Sequence, residues 1–453
     1  MLFICIVFTT NLMMAQKGDS SIISSPVYIT DHILPSKKFR RSTGYLLLAE
    51  SLPLVFDRYV KKADYAKLSF GTIATNLKPA NWTWDDDEFE TNQLAHPFHG
   101  SIFFNTFRSN GYSFWQSVPA AFAGSYIWET FGESQLPSPN DFINTGFGGV
   151  MLGEMTHRLS QKLIQARTNG ISRKAARFLA CLLNPAGGFI RLTDRKRSDG
   201  LITLEKDSSD ISVEFDIGIR KFHTNSSNPF PDGDFGIYGR AKLIYGSPLK
   251  NIRQPFSNIY ITVEAGQDSA KLNAVTVHGS LAGWRFYTGK QEQLVILSAN
   301  YDYFNNAAFY YSAQSIKASI YSDISLGGKT KLNTTIGIGA VILAAMPDEY
   351  HIEHRNYNYG SGASFNASLR FLLGERLYYR IGYTGYRTKT VSGNGSDYLL
   401  QTLTNEAGLR VAQNYSIIAE SSYFKLNGNY SSYKDITKKY PYARLSIRYT
   451  IRL

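Results

Sequence analysis

Two cysteines in 453 residues leave this chain without a disulfide framework. Cys5 falls in an apolar leader, so Cys181 stands alone once that leader is removed, and the mature chain has no intramolecular pair to form. Long apolar runs are equally scarce. Outside the first residues nothing has the length and continuity of a spanning helix, which excludes a helical-bundle membrane protein. Lys and Arg outnumber Asp and Glu by 48 to 36, giving a formal charge of +12, yet no basic run is interleaved with a nucleic-acid motif. No nucleic-acid partner and no cofactor are expected. Lipid phosphates or a small anionic solute suit the excess positive charge better.

What the chain does have is aromatic rings and alternation. Thirty Tyr and 28 Phe fit the interfacial girdles of a membrane barrel. The last segment shows the pattern most clearly. Ala443, Leu445, Ile447, Tyr449, Ile451 and Leu453 share one face of an extended chain, and Arg444, Ser446, Arg448, Thr450 and Arg452 the other. An edge strand of a soluble sandwich is the plain alternative. A strand with lipid outside and a charged, wet lumen inside accommodates three arginines on one face more naturally.

About twelve such segments follow residue 205, near 210–223, 234–246, 256–266, 271–288, 292–304, 308–323, 330–346, 357–373, 375–390, 397–412, 415–428 and 441–453. Turn residues such as Ser247-Pro248, Gly289-Lys290 and Gly393-Asn394-Gly395 separate them. The fold class expected is therefore mainly β: a transmembrane antiparallel barrel of about twelve strands over 205–453, preceded by packed amphipathic helices. A barrel that narrow is easily filled by side chains or by an inserted segment.

Ahead of the barrel, residues 1–16 read as a secretory signal peptide, although no Lys or Arg precedes the apolar run. Residues 17–43 read as a linker and 44–200 as a helical domain. Export and closure together predict the cell outer membrane as location, with its lipids and the barrel-insertion machinery as partners. The helical region is expected either to plug the barrel or to sit at its periplasmic rim. Within it, Arg173, Lys174 and Arg177 stand opposite Phe178, Leu179, Leu182 and Leu183, a pattern suited to a membrane surface or simply to a solvated face.

The most distinctive block is 81–158. It contains Trp82-x-Trp84-Asp85, His96-Pro-x-His99-Gly, Arg108, Gly124-Ser-x-x-Trp128-Glu129-x-x-Gly-Glu133, Asp141, Gly149, Gly153 and Glu154-x-x-His157-Arg158. This series resembles an uncharacterised bacterial family, a domain of unknown function found in exported proteins that carry barrels. The resemblance implies association with the outer membrane and assigns no reaction. Read from the residues alone, Phe114–Glu133 is one helix. A second is capped by Ser138, begins at Pro139 and carries Asp141 in its first turn. Ala121, Ser125, Gly146, Gly149 and Gly153 would let these helices approach closely.

Four groups of residues are candidate sites. Glu154 and His157, spaced i, i+3 and joined by Glu129 and Glu133, follow the grammar of helical carboxylate metal centres. Only one such pair is present, and ion pairing with Arg108 or Arg158 explains it more simply; no metal is assigned. The proline between His96 and His99 favours an extended conformation before it, so those rings are read as structural residues of a tight turn. His278 and Ser280 share a strand face, and folding the next strand back sets them opposite Asp302 and Asn300. A lumenal Ser/His/Asp set of that kind would suit a lipid A deacylase-like or phospholipase-like hydrolase, whose His-x-Ser spacing it resembles. Finally, Arg444, Arg448 and Arg452 form a ladder that either binds an anionic solute or pairs with lumenal carboxylates such as Glu264. The function expected is structural, scaffold or narrow transport, with the hydrolase as alternative and no enzymatic activity favoured.

Overall fold

The computed structural model describes residues 37–165, 172–193, 210–247, 254–268, 272–289, 291–352 and 355–452. The leader and most of the expected linker lie outside them.

Twelve strands form the second half: β1 (Ile211–Phe222), β2 (Asp234–Tyr245), β3 (Ile259–Gly266), β4 (Leu272–Thr288), β5 (Gln291–Asn305), β6 (Tyr310–Gly327), β7 (Thr330–Ile352), β8 (Arg355–Leu373), β9 (Leu377–Ser392), β10 (Ser396–Arg410), β11 (Tyr415–Tyr430) and β12 (Ile436–Arg452). Each pairs with its sequence neighbours, and β1 pairs antiparallel with β12 to close the barrel. Closure leaves no open edge, so every strand finds backbone partners on both sides. The seam runs from Ser212 opposite Arg452 to Phe222 opposite Tyr442. Along it Asp216 faces Arg448 and Arg220 faces Arg444 on the inner side, while Ile217 faces Ile447 and Ile219 faces Leu445 on the outer. Ile217, Ile219, Leu445 and Ile447 are all exposed. The alternation read from the sequence is thus the inside and outside of one closed wall. β12 begins at Ile436, earlier than the expected 441, because Ile436 continues the ladder opposite Gly428.

The first half is helical: α1 (Phe39–Phe56), α2 (Phe70–Asn76), α3 (His96–Arg108), α4 (Phe114–Phe131), α5 (Pro139–Ile143), α6 (Gly149–Gln165), α7 (Arg173–Leu183) and α8 (Pro185–Thr193). Local chemistry sets the starts. Ser113 and Gln116 form a capping box at α4, and the Ser138 hydroxyl accepts from the Asp141 N–H at α5, with Pro139 in the first turn. The His96-Pro-Phe-His99 segment is not a tight turn but the first turn of α3. A wide π-type turn over Thr91–Ala95 precedes it. The helical run begins at Phe89, and Pro97, which has no N–H to donate, follows directly on the π-type turn where the hydrogen-bond pattern shifts.

Small residues bring α6 close, although its main partner is α3, not α4. A Cβ on Gly149 would sit 2.5 Å from the Gly100 Cα, and one on Gly153 2.6 Å from the Phe104 ring. Only glycine permits these approaches.

The helices pack against the outer wall of the barrel. Side chains at Val277, Ala299, Tyr301, Tyr303, Leu343, Ala345, Tyr357 and Tyr359 alternate with the lumenal ones, so they point outward, and they share a core with Phe89, Phe104, Phe114, Val150 and Met155 of the helical region. Phe89 lies 4.7–5.7 Å, centroid to centroid, from Tyr303, Tyr310 and Tyr357. Polar contacts fix the register. The Ser312 hydroxyl donates to the Gln93 side-chain carbonyl (2.6 Å), the Gln314 amide to that of Asn144 (2.6 Å), and the Tyr301 hydroxyl to the Gln93 backbone carbonyl. Asn92 donates to Tyr357, and Arg158 to the Pro255 carbonyl, both at 2.8 Å. The described helices therefore do not form the lumenal plug that was one expectation, nor are they confined to a rim. Tyr301, Ser312 and Gln314 place polar atoms on the outer face, and these are satisfied only by docking a second layer there.

Candidate functional site in the barrel lumen

The inward faces of β1, β2, β3, β10, β11 and β12 carry a buried layer of opposite charges. Arg240 on β2 donates to Asp216 (2.7 Å) and to Glu420 on β11 (2.8 Å), and Lys242 reaches Glu406 on β10 at 3.3 Å. Arg448 on β12 bonds Asp216 (2.7 Å) and lies 3.0 Å from Glu214. Arg444 bonds Glu264 on β3 (2.6 Å) and Glu420. Arg220 bonds Glu264 at 2.9 Å and Asn273 at 3.2 Å. Links from β2 to β10 and from β3 to β12 run across the lumen between strands that are not adjacent. Each cation is matched by carboxylates, which is what makes so much buried charge tolerable.

A second layer is aromatic. Phe222, Phe309, Tyr311, Tyr386, Tyr398, Phe424, Tyr430, Tyr440 and Tyr442 face inward and pack with Leu400, Leu426 and Met346. Phe304 of β5 meets Phe424 of β11 edge-on at 5.6 Å, and Phe309 lies 6.2 Å from Phe424. Beside this layer, at the β5–β6 and β7–β8 turns, is a cavity of about 900 Å³ lined by Glu90, Leu94, Phe309, Asp348, His351 and Lys438.

The expected arginine ladder is divided by this arrangement. Arg444 and Arg448 are held in the charged layer, and Glu264 is a partner of Arg444, as one reading of the sequence had it. Arg452 is exposed at the end of β12.

His278, Ser280 and Asp302 all face inward but are not assembled. β4 and β5 pair with His278 opposite Asn300, Ser280 opposite Ser298 and Asp302 opposite Thr276. The expected register was therefore off by two residues: one comes from the turn, since Thr288 pairs with Gln291, and one from a bulge in β4 between Ser280 and Ala282. The Asp302 carboxylate accepts instead from Tyr386 (2.6 Å) and Lys317 (3.4 Å), and the Ser280 hydroxyl accepts the Asn258 backbone N–H at 3.1 Å. Nothing in this geometry activates Ser280.

In the helical domain Glu154 is fully buried between Arg108 (2.7 Å) and Arg158 (2.8 Å). Burial alone would raise its pKa; the two guanidinium groups overcome that and hold it down to about 2. His157 is held neutral, first by burial and then by Arg108. Glu154 and the two arginines bind one another, as the simpler reading of that group had it. Glu129 accepts the Ser138 N–H at 2.8 Å, and Asp141 lies 3.3 Å from His96. Burial pushes the Asp141 carboxyl well up from its ordinary value and His96 down to about 4. Trp84 packs on Tyr359 (5.2 Å), Trp82 stacks on Tyr126 (6.2 Å), and Trp128 meets His99 at 4.9 Å. Asp85 accepts from Asn92 at 2.8 Å. Glu154 is committed to the arginines, and among the described residues no group of three or more His, Cys, Asp or Glu is placed to hold a metal.

Residues 81–186 match the family model DUF3943, a domain of unknown function. The match coincides with the block that carries the glycine contacts, the Glu154 ion pairs and the outer-wall docking. No curated protein matches the sequence. Among solved structures the barrel is similar to the NanC porin, with 9% identity, a TM-score of 0.31, and coverage of 51% of this chain and 98% of that one. The KdgM porin gives 8%, 0.25, 52% and 98%, and the outer membrane protein Omp33 of Acinetobacter baumannii 8%, 0.24, 53% and 99%. Likeness at this level carries no functional information.

The residues that reasoning from sequence missed are Asp216, Arg220, Arg240, Lys242, Glu406, Glu420 and the facing pair Phe304 and Phe424. Their signal was present: each sits on the same period-two face as the polar lumenal residues of its strand.

Proposed function

We propose that this protein is an outer-membrane β-barrel acting as a closed scaffold, holding the DUF3943 helices on its outer wall. The observation that carries this reading is the occupied lumen. Ion pairs link β2 to β10 and β11, and Phe304 meets Phe424 from opposite sides of the ring. A solute path would have to break buried charge pairs and part an aromatic layer. The outer-membrane location is supported by the exposed apolar faces of β1 and β12, and the partners implied are the surrounding lipids and the machinery that inserts barrels.

The second reading, narrow transport of a small anion, is favoured by the concentration of cations around Arg240, Arg444 and Arg448. Such an anion would have to exchange with Glu420 and Glu264 in turn. Purified protein in planar bilayers separates the two. Absence of conductance steps supports the scaffold; stable anion-selective steps from the unaltered protein would overturn it. The hydrolase alternative has its own check: Ser280→Ala should leave lipid A and phospholipid composition unchanged.

A further inference from the structure

Phe89, Phe103, Phe104 and Met155 form an apolar interior in the helical domain, yet three of its helices turn large apolar residues outward. In α1 the inward positions are Ser42, Leu46 and Glu50, one turn apart, whereas Leu47, Leu48, Leu52, Val55 and Phe56 are exposed, Leu52 by 66%. In α4, Ser117, Ala121 and Ser125 are buried while Trp115, Tyr126 and Phe131 are exposed, Trp115 by 61%. In α7 only the small Ala176 and Ala180 are buried, and Phe178, Leu179, Leu182 and Leu183 face outward. The same domain buries Asn92, Gln93, Asn105, Glu129, Asn140 and Glu154. Polar and small residues inside with large apolar residues outside is the arrangement by which helices pack in lipid, where burying apolar surface gives no advantage.

We propose that the outward face of this domain is a lipid-facing surface: α1, α4 and α7 contact the acyl chains of the bilayer that surrounds the barrel. The occupant is fixed by continuity with the wall. Under the domain's edge, Val213 of β1 pairs with Ile451 of β12, on the barrel's outer face. On β7 the helices cover Leu343 and Ala345, while Ile336 and Ile338 on the same side of the same strand are exposed by 57% and 67%. Lipid wetting Ile336 and Ile338 therefore reaches the domain without a polar boundary. Among the described residues no helix is long and apolar enough to cross a membrane, so the helices lie within or along the bilayer beside the barrel. Exposed Arg173 and Lys174 at the start of α7 suit head-group phosphates.

This inference rests on the barrel standing in a membrane, and the test separates the two. Leu52→Cys, Val55→Cys, Phe178→Cys and, on the barrel, Ile447→Cys are made one at a time in a Cys5→Ser, Cys181→Ser chain. All four positions are exposed, so no core packing is lost, and two α1 sites guard against one variant failing to fold. Each is labelled with a polarity-sensitive fluorophore and reconstituted into phosphatidylethanolamine/phosphatidylglycerol vesicles with or without mid-chain nitroxide lipid. The expected result is loss of fluorescence to the nitroxide at all four sites, and no reaction of the unlabelled cysteines with a membrane-impermeant thiol reagent. If Ile447 is quenched but Leu52, Val55 and Phe178 react with that reagent, the domain stands in water and this inference fails alone. If those three are neither quenched nor reactive, protein covers them, as in contact with a second copy, and the inference fails too. If Ile447 itself is not quenched, the membrane reading of the barrel falls with it.

Discussion

Phe304 on β5 and Phe424 on β11 touch edge-on across the interior of the barrel, with ring centroids 5.6 Å apart. They come from opposite strands of the closed ring, so this one contact measures how completely the side chains fill the lumen. An open channel of the same strand number would keep these two walls apart; here they pack like a protein core. The barrel is therefore stabilised from within as well as by its backbone ladder.

Phe424→Ala should accordingly act on the interior. It removes the contacts to Phe304, Phe309, Tyr440 and Tyr442 and leaves a void that the rigid wall cannot close, at a cost of about 3–5 kcal/mol. The boiling-dependent shift of the folded band on a gel should begin at lower temperature than in the unaltered protein.

Arg240 tests that charged layer. It holds Asp216 and Glu420 together across the lumen and lies 3.5 Å from Glu406. Arg240→Met keeps an unbranched apolar stem but removes the guanidinium, leaving Asp216 to Arg448 and Glu420 to Arg444 in a buried layer that is one positive charge short, at a cost of up to about 3–5 kcal/mol. Adding Glu420→Gln should recover part of the loss, because the excess negative charge is then removed. Urea unfolding of the single and double variants, followed by tyrosine and tryptophan fluorescence, measures both. If Glu420→Gln shifts the midpoint equally in the unaltered protein and in Arg240→Met, Arg240 and Glu420 are not coupled.

Much of this fold was legible because lipid and lumen impose opposite demands on alternate residues. The strand count, the inward place of Arg444 and Arg448, and the Arg444–Glu264 pairing all follow from a period of two. Two things were hidden. Register depends on which residues turn the hairpin and on bulges along the ladder, and the turn together with the bulge at Ser280/Ala282 separated His278 from Asp302 without disturbing either one's face. The docking of the helices on the outer wall was hidden for a different reason. Tyr301, Tyr303 and Tyr357 look like girdle residues from sequence, and only the hydroxyl contact of Tyr301 with Gln93 and the packing of Phe89 show that another layer covers them. The helix partners were half legible. Gly149 and Gly153 announced a close approach, but to α3 instead of α4, because a glycine marks that something comes near and not what.

Gly149→Val checks that approach. Its Cβ would fall against the backbone of Gly100, which cannot move aside as a flexible side chain can. The expected loss is at least the roughly 1–3 kcal/mol typical of overpacking, confined to the helical domain. Limited proteolysis should cleave the helical region faster while the barrel band and its heat shift stay unchanged. Loss of the barrel band as well would mean that the wall needs its outer layer in order to fold.

Glu154 gives the pH dependence of the same domain. An unfolded glutamate titrates near about 4.3, and the folded one is held down to about 2 between Arg108 and Arg158. A depressed folded pKa means that the stabilisation is fully present above the unfolded value and is lost as pH falls through the folded one. The helical domain should therefore hold its near-UV circular dichroism down to about pH 4 and lose it progressively toward pH 2. Glu154→Gln removes the charge at every pH and leaves Arg108 and Arg158 facing a neutral amide in a buried site, at a cost of about 3–5 kcal/mol. That variant should be less stable at pH 7 and should lose the acid transition between pH 4 and 2. If the transition persists unchanged in Glu154→Gln, the acid sensitivity belongs to other carboxylates, and the Arg108–Glu154–Arg158 cluster is not what holds α3 to α6.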